Sequence, residues 1–227
     1  MTDGAVQAAD TRGRLLRAAA EVFDRHGFAG ARLQAVCAGA NVTKGALYCH
    51  FPSKEALAVA LVERQSLLWR DLADQVLAGR TRPAQALVDL SYAFADRVDH
   101  DLTARVGTRL LHEGALFDRT AAGQLMGWVA VVRDVLRRAD RAGELRGGLV
   151  LRHVAEQVVS GLLGAQLLSQ AFSARQDLRV RLGRFWRATL PQLVVPHVLD
   201  ALRFDHPPAP GPPAPRTSAD VAVRSPR

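Results

Sequence analysis

Lysine is nearly missing from this sequence. Of 30 basic residues, only Lys44 and Lys54 are lysine, and the other 28 are arginine. Cysteine is as scarce: Cys37 and Cys49 lie twelve apart, with no C-x-x-C and no histidine at metal-ligand spacing. That excludes a disulfide framework and a zinc finger and reads as two reduced thiols, with no metal called for. No uninterrupted apolar run reaches the roughly 18–20 residues of a membrane span. The opening MTDGAVQAADTRGR lacks the basic-then-apolar layout of a secretory signal, so a cytoplasmic protein with no membrane partner is expected. Catalytic motifs are also missing. There is no G-x-S-x-G, P-loop or G-x-G-x-x-G, and His112-Glu113 is not part of an H-E-x-x-H. Neither an enzyme nor a cofactor is expected.

What is present is a chain of 227 residues with 48% hydrophobic residues, long enough for one or two domains with a sizeable core. The net charge of +8 permits a nucleic-acid partner without establishing one. Residues 1–55 hold seven Lys/Arg against five Asp/Glu, so the surplus lies mostly elsewhere.

One stretch organises the rest. In LQAVCAGANVTKGALYCHF, Leu33, Val36 and Cys37 give a short helix one apolar face. Gly39-Ala40-Asn41 breaks that pattern and lets the chain reverse. Thr43 stands where an N-cap belongs, and Lys44 to Cys49 follow as a helix of under two turns. Two helices around a tight turn form a helix-turn-helix, whose second helix can lie in the DNA major groove. Its exposed positions are expected to be Thr43, Lys44, Gly45 and Tyr48, with His50 just beyond. All but the glycine can donate hydrogen bonds to phosphates or base edges, and Gly45 lets the backbone come close. Both lysines fall within one span of eleven residues in this DNA-reading segment, so a compact point charge is wanted there.

The remaining chain reads as helices throughout. Residues 1–9 are expected to be a flexible arm. Asp10 or Thr11 then caps a helix to His26, and Leu15, Ala19, Val22 and Phe23 pack it on the helix-turn-helix. Arg12, Arg14 and Arg17 near its start could reach the DNA backbone. Ser53 caps a long helix to Leu77. Further helices are expected at 83–99, 102–112, 124–142 (after a polar stretch at 113–123), 149–172 and 177–190. No run alternates as a strand would, so the fold class is all-α. Six prolines within nine residues mark 205–227 as a disordered tail. The organisation is thus a three-helix DNA-binding domain at 10–55, a larger helical domain at 56–204, and the tail.

The run VTKGALYCHFPSKEAL closely resembles the recognition helix and following helix of TetR-type transcriptional repressors. The likeness covers about the first 65 residues and adds Lys54 to the DNA-binding set. Two departures stand inside it. Ala31 occupies the usual Ser/Thr cap position of the second helix, and Cys49 replaces an aromatic residue and is expected to be a small buried hydrophobe. The remainder is similar to the γ-butyrolactone-type autoregulator receptors of actinomycetes, through Trp128, GLLGAQLLSQAFS from Gly161 and FWRATLPQL from Phe185. The resemblance implies a homodimer on a pseudo-palindromic double-stranded DNA operator, joined through the helices at 149–172 and 177–190. The alternative to the preferred dimer is that those two helices form the core of one chain.

A second implication is a pocket for a small hydrophobic effector. It would lie between the helices at 83–99, 102–112, 124–142 and 149–172, walled by the helix at 54–77. Trp128, Gln65, Gln166 and Tyr92 are its polar-tipped candidates. Leu163 stands where relatives often carry a threonine, which leaves the effector's identity open. The expected function is a repressor of secondary-metabolite or antibiotic genes released by a γ-butyrolactone, butenolide or furan. The alternative is a TetR-type repressor of an efflux or catabolic gene that answers to a drug, antibiotic or pathway intermediate.

Overall fold

Helix punctuation in the sequence decides where each element of the computed structural model begins and ends. The structure describes residues 3–79, 81–112 and 118–204. Helix α1 (Asp3–Gly30) starts at Asp3, so residues 3–9, expected as a flexible arm, are helical instead. The reason is local: nothing from Asp3 to Ala9 forbids helix except Gly4, and Ala-rich sequence propagates it. The regular part of α1 stops at Gly27, which takes φ 68°, before one more turn.

Helix α2 (Leu33–Ala40) begins without a side-chain cap. The uncapped position is Arg32, one residue beyond the expected Ala31. Asn41 ends α2 in the left-handed region at φ 52°, a conformation asparagine tolerates. Gly39 therefore has a different job from making the turn. It lies within α2, where a Cβ would sit 3.3 Å from that of Ala18, so its small size brings α2 close to α1. Thr43 caps α3 (Lys44–His50), its Oγ1 accepting from the Ala46 amide at 3.2 Å.

Ser53 does the same for α4 (Lys54–Ala78), accepting from the Ala56 amide at 3.2 Å. Six helices follow among the described residues: α5 (Pro83–His100), α6 (Leu102–His112), α7 (Asp118–Arg141), α8 (Leu151–Ser173), α9 (Leu178–Leu193) and the single turn α10 (Pro196–Leu199). Helix α7 starts six residues before the expected Gln124. Asp118 and Thr120 are residue types that the start of a helix favours. Among the described residues there is no strand, only an isolated bridge between Leu145 and Val194. The expected tail at 205–227 lies outside the described residues.

Two packing units share one continuous core. Helices α1–α3 close over Leu15, Ala19, Phe23, Val36 and Leu47. Helix α4 leaves that unit and runs between α5, α6 and α7. The close approach of α6 to α4 depends on Gly107: a methyl group there would fall 2.5 Å from Cβ of Gln65. Among the described residues, no helix is long and apolar enough to cross a membrane.

Candidate DNA-reading surface and effector cavity

Helix α3 is held by one anchor. Leu47 is its only buried residue, and Phe51 just beyond is buried too. Everything else on α3 is available to a partner. Thr43, Lys44 and Gly45 are exposed, Tyr48 keeps 44% of its surface, and His50 is half-buried at the C-terminal end. Lys44 Nζ sits 5.8 Å from the centre of the Tyr48 ring, which pre-orders the cation on the outer face. Nothing crowds a Cβ at Gly45 beyond Thr43 Oγ1 at 3.9 Å, so its openness faces outward. Gln34 from α2 joins Lys44 and Tyr48 along a groove between α2 and α3. Its exposed amide, a donor and acceptor suited to base edges, was not nominated from sequence.

Lys54 is placed differently from the other DNA-binding candidates. Its ammonium donates to three carbonyls at the end of α1: Phe28 at 2.8 Å, Ala29 at 3.2 Å and Ala31 at 3.2 Å. It also lies 4.6 Å from the centre of the Phe28 ring. All three of its donors are thus used inside the chain, and a cation at a helix C-terminus is favoured by the free carbonyls. Three carbonyls around one nitrogen suit a lysine's tetrahedral head and not an arginine's planar fork, which accounts for lysine in an arginine-rich chain. Lys54 thus ties the start of α4 to the end of α1, while lining the same groove as Gln34, Lys44 and Tyr48. Two of the N-terminal arginines are likewise engaged: Arg12 stacks 5.0 Å from the Phe51 ring centre, and Arg14 pairs with Asp10 at 3.3 Å. Cys49 is exposed, against the expectation of burial, because α3 turns only Leu47 inward.

The larger unit contains an apolar cavity. Trp69 of α4, Phe94 of α5 and Trp128 of α7 meet in it, with ring centroids 4.9–5.6 Å apart. Ser91, Val132, Val159, Leu162, Leu163, Gln166 and Leu182 complete the lining. Trp128, Leu163 and Gln166 are therefore brought together as expected positions. Gln65 and Tyr92 are not among the lining residues. Gln65 is buried one turn before Trp69, beneath Gly107, and neither end of its amide has a partner. Tyr92 points the other way and donates to the Phe204 carbonyl at 2.6 Å, tying down the chain after α10. Helix α9 supplies a wall through Leu182 where α6 had been expected. Trp69 and Phe94 were missed from sequence; Trp69 lies at i+4 from Gln65, a spacing that puts both on one face of α4.

The cavity amounts to about 30 Å³, room for about two waters at most. The indole N–H groups of Trp69 and Trp128 and the Oε1 of Gln166 are buried there without partners. Trp69 and Trp128 also line an outer cleft of about 440 Å³ with Ser66, Arg70, Gln124 and Gly127.

A polar tie joins the two units. Arg105 of α6 grips both carboxylate oxygens of Asp24 on α1, each at 3.2 Å, and Arg109 donates to the Asp24 carbonyl at 3.1 Å. On α8, Leu167, Leu168 and Phe172 stand exposed, as does Val180 on α9, with Phe172 retaining 75% of its surface.

Comparison with known proteins matches this architecture. Residues 15–61 match the bacterial regulatory proteins of the tetR family. Over 193 residues the chain is 34% identical to the A-factor receptor protein of Streptomyces griseus, covering 85% of this chain and 67% of that protein. A crystal structure of a γ-butyrolactone receptor, an ArpA-like protein, superposes with a TM-score of 0.70 at 29% identity, over 84% of this chain and 92% of that one. CprB of Streptomyces coelicolor, solved in complex with its operator sequence, superposes with a TM-score of 0.68 at 29% identity, over 86% and 94% of the two chains.

Proposed function

The chain belongs to the TetR family of bacterial transcriptional regulators, and from that premise we propose that it is a dimeric repressor released from its operator by a small, mainly apolar effector. The observation that carries the effector is the trio of dry, unpartnered polar atoms around the aromatic cavity. An unpaired buried donor or acceptor costs about 1–3 kcal/mol. A ligand with an apolar body and one or two oxygens would remove that cost by accepting from the indoles. Leu163 offers no hydrogen bond, so recognition falls to Trp69, Trp128 and Gln166.

The same cavity implies how release works. At about 30 Å³ it is too small for a drug-sized molecule, since ligand sites run to about 300–1,000 Å³. Binding has to spread α4, α5, α7 and α8, with the two indoles turning away from the outer cleft as the entry. Helix α4 holds the end of α1 through Lys54 at its start and carries Trp69 about four turns further on. Spreading at Trp69 therefore tilts the reading unit. Coupling of this kind is typically about 1–3 kcal/mol, and near-complete release needs about 5.5 kcal/mol of differential affinity.

Dimerisation follows from the outward apolar residues of α8 and α9. Two such pairs would build a four-helix bundle and set two copies of α3 about 34–36 Å apart on a pseudo-palindrome. Thr43, Lys44, Tyr48, His50 and Gln34 then face one half-site. Relatives named for A-factor and γ-butyrolactone make a lactone-type signal and secondary-metabolite genes the leading reading.

Fluorescence anisotropy on the promoter DNA beside its own gene tests the proposal, with and without a lactone-containing culture extract. Specific binding reversed by the extract supports it. Binding that the extract leaves untouched discards the lactone class and favours a drug, antibiotic or pathway intermediate.

A further inference from the structure

Gln166 of α8 lines two spaces at once, the aromatic cavity and a second one of about 420 Å³ that Thr108 and Arg105 line from α6. The charged groups of that second space are already engaged. Arg105 holds both carboxylate oxygens of Asp24, each at 3.2 Å, and Arg109 donates to the Asp24 carbonyl at 3.1 Å. Arg175, in the turn before α9, keeps its Nε 3.6 Å from Asp99.

Two neutral groups there are not engaged. The Thr108 hydroxyl and Gln166 Oε1 are both buried without a hydrogen-bond partner, on residues only 5% and 9% exposed. A hydroxyl donor on α6 and a carbonyl acceptor on α8 are the complementary halves of one hydrogen bond, unmade in this structure. Thr108 also stands three residues after Arg105, a spacing that puts both on one face of α6. One helix face thus carries the unused donor and the residue that holds the DNA-binding unit.

Resting on the effector reading above, we infer that Gln166 and Thr108 form a relay: effector entry turns the Gln166 amide so that Oε1 accepts from the Thr108 hydroxyl, and this bond draws α6 toward α8 and parts Arg105 from Asp24. An amide has a donor end and an acceptor end, so Gln166 holds an effector oxygen through Nε2 while Oε1 holds Thr108. The new bond satisfies two groups that are dry without effector. The tie it breaks is part-buried, where water takes over much of an ion pair's strength. The two arrangements are therefore close enough in free energy for a ligand to select between them. Thr108 is a positioning residue, touching neither effector nor DNA.

The test uses the full-length protein without DNA. The probes are γ-lactones with a straight alkyl chain of about four to eight carbons, an apolar body with two oxygens that suits such a cavity. Binding is followed by tryptophan fluorescence, since two of the three tryptophans line the cavity. Opening of the tie is followed by hydrogen exchange of the α1 amides around Asp24. In the wild type, lactone should speed that exchange by about fivefold or more, the low end of typical coupling between sites. Thr108→Val keeps the shape and removes the hydroxyl. It should bind lactone about three- to tenfold more weakly, for one lost hydrogen bond, and its α1 exchange should no longer respond. Without lactone it should exchange like wild type and melt no lower, because the hydroxyl it removes is dry. Thr108→Ser should restore both responses. Asp24→Asn weakens the tie beforehand and should bind lactone about threefold more tightly, since coupling is reciprocal. Circular dichroism checks that the variants fold.

Lactone binding to wild type with no change at α1 overturns the relay and leaves the aromatic cavity standing. A wild-type exchange response in Thr108→Val overturns it too. So does an exchange change in that variant that is the same with and without lactone, which marks a purely structural hydroxyl. Unchanged or weaker lactone binding in Asp24→Asn removes the tie from the relay and overturns it as stated. Silence from every chain length overturns it together with the effector cavity.

Discussion

Lys54→Met removes one ammonium and nothing else of comparable size, which makes Lys54 the clearest place to separate positioning from DNA contact. Three hydrogen bonds to carbonyls and one cation–π contact are lost. A hydrogen bond to a charged group is worth about 1.5–3 kcal/mol, but the Ala29 carbonyl bond is exposed and the other two are part-buried, so water replaces much of each. The net cost is about 2 kcal/mol after that discount, including about 0.5–1 kcal/mol for the ring contact. For a chain of this size, about 2 kcal/mol lowers Tm by about 4–8 °C. Lys54→Arg should recover part of the loss, since a planar fork reaches one or two of the carbonyls. Operator affinity, measured well below Tm across a salt series, then separates the roles. Each phosphate contact contributes about 0.9 to the slope of log K against log salt. Lys54→Met should leave that slope unchanged, whereas Lys44→Ala should reduce it by about 0.9 per protomer. An unchanged Tm with a reduced slope in Lys54→Met would refute the positioning role and make Lys54 a phosphate ligand.

Other outcomes follow from the same geometry. Trp128→Ala empties one wall of the aromatic cavity; it should cost about 3–5 kcal/mol of stability, keep operator binding and blunt effector release, read by thermal melts and anisotropy. Gly107→Ala forces α6 off α4 at Gln65, costing about 1–3 kcal/mol, and should weaken operator binding without any effector. Phe172→Asp places a charge on the outward apolar face of α8 and should shift sedimentation toward monomer with loss of operator binding. Asp177 accepts from Arg181 at 2.8 Å, from Ser169 and from Ser173 at 2.6 Å, and these bonds, Arg181 first, hold its carboxyl well below the usual range. A depressed pKa stabilises fully above the unfolded value of about 3.9 and fades as pH falls through the folded one. The Tm gap between wild type and Asp177→Asn should therefore stay constant from neutral pH down and narrow only below about pH 4.

Much of this fold is legible because its helix boundaries are written in local chemistry. Thr43 and Ser53 cap helices with their own hydroxyls, Pro83 opens α5, and Leu47 declares the inward face of α3. Meanings that depend on distant chain segments are not legible in that way. That Lys54 also holds the carbonyls of Phe28, Ala29 and Ala31 depends on residues 23–26 positions earlier. Tyr92 looks like a pocket hydroxyl until Phe204 comes back to it. Gly39 reads as a turn residue, yet its smallness serves Ala18 on another helix. The aromatic cavity was half visible: Trp128 stood out, while Trp69 and Phe94 needed three helices to converge before they counted. Arg105 and Asp24, 81 residues apart, gave no sign of pairing in the sequence.

The most direct test of a two-fold repressor reading DNA through α3 is a selection of binding sites from random duplex DNA by the full-length protein. Recovery of an inverted repeat with half-sites about one helical turn apart, bound by wild type and lost in Lys44→Ala, is the predicted result. Enrichment of no sequence, or of a lone half-site bound equally well by Lys44→Ala, would contradict it.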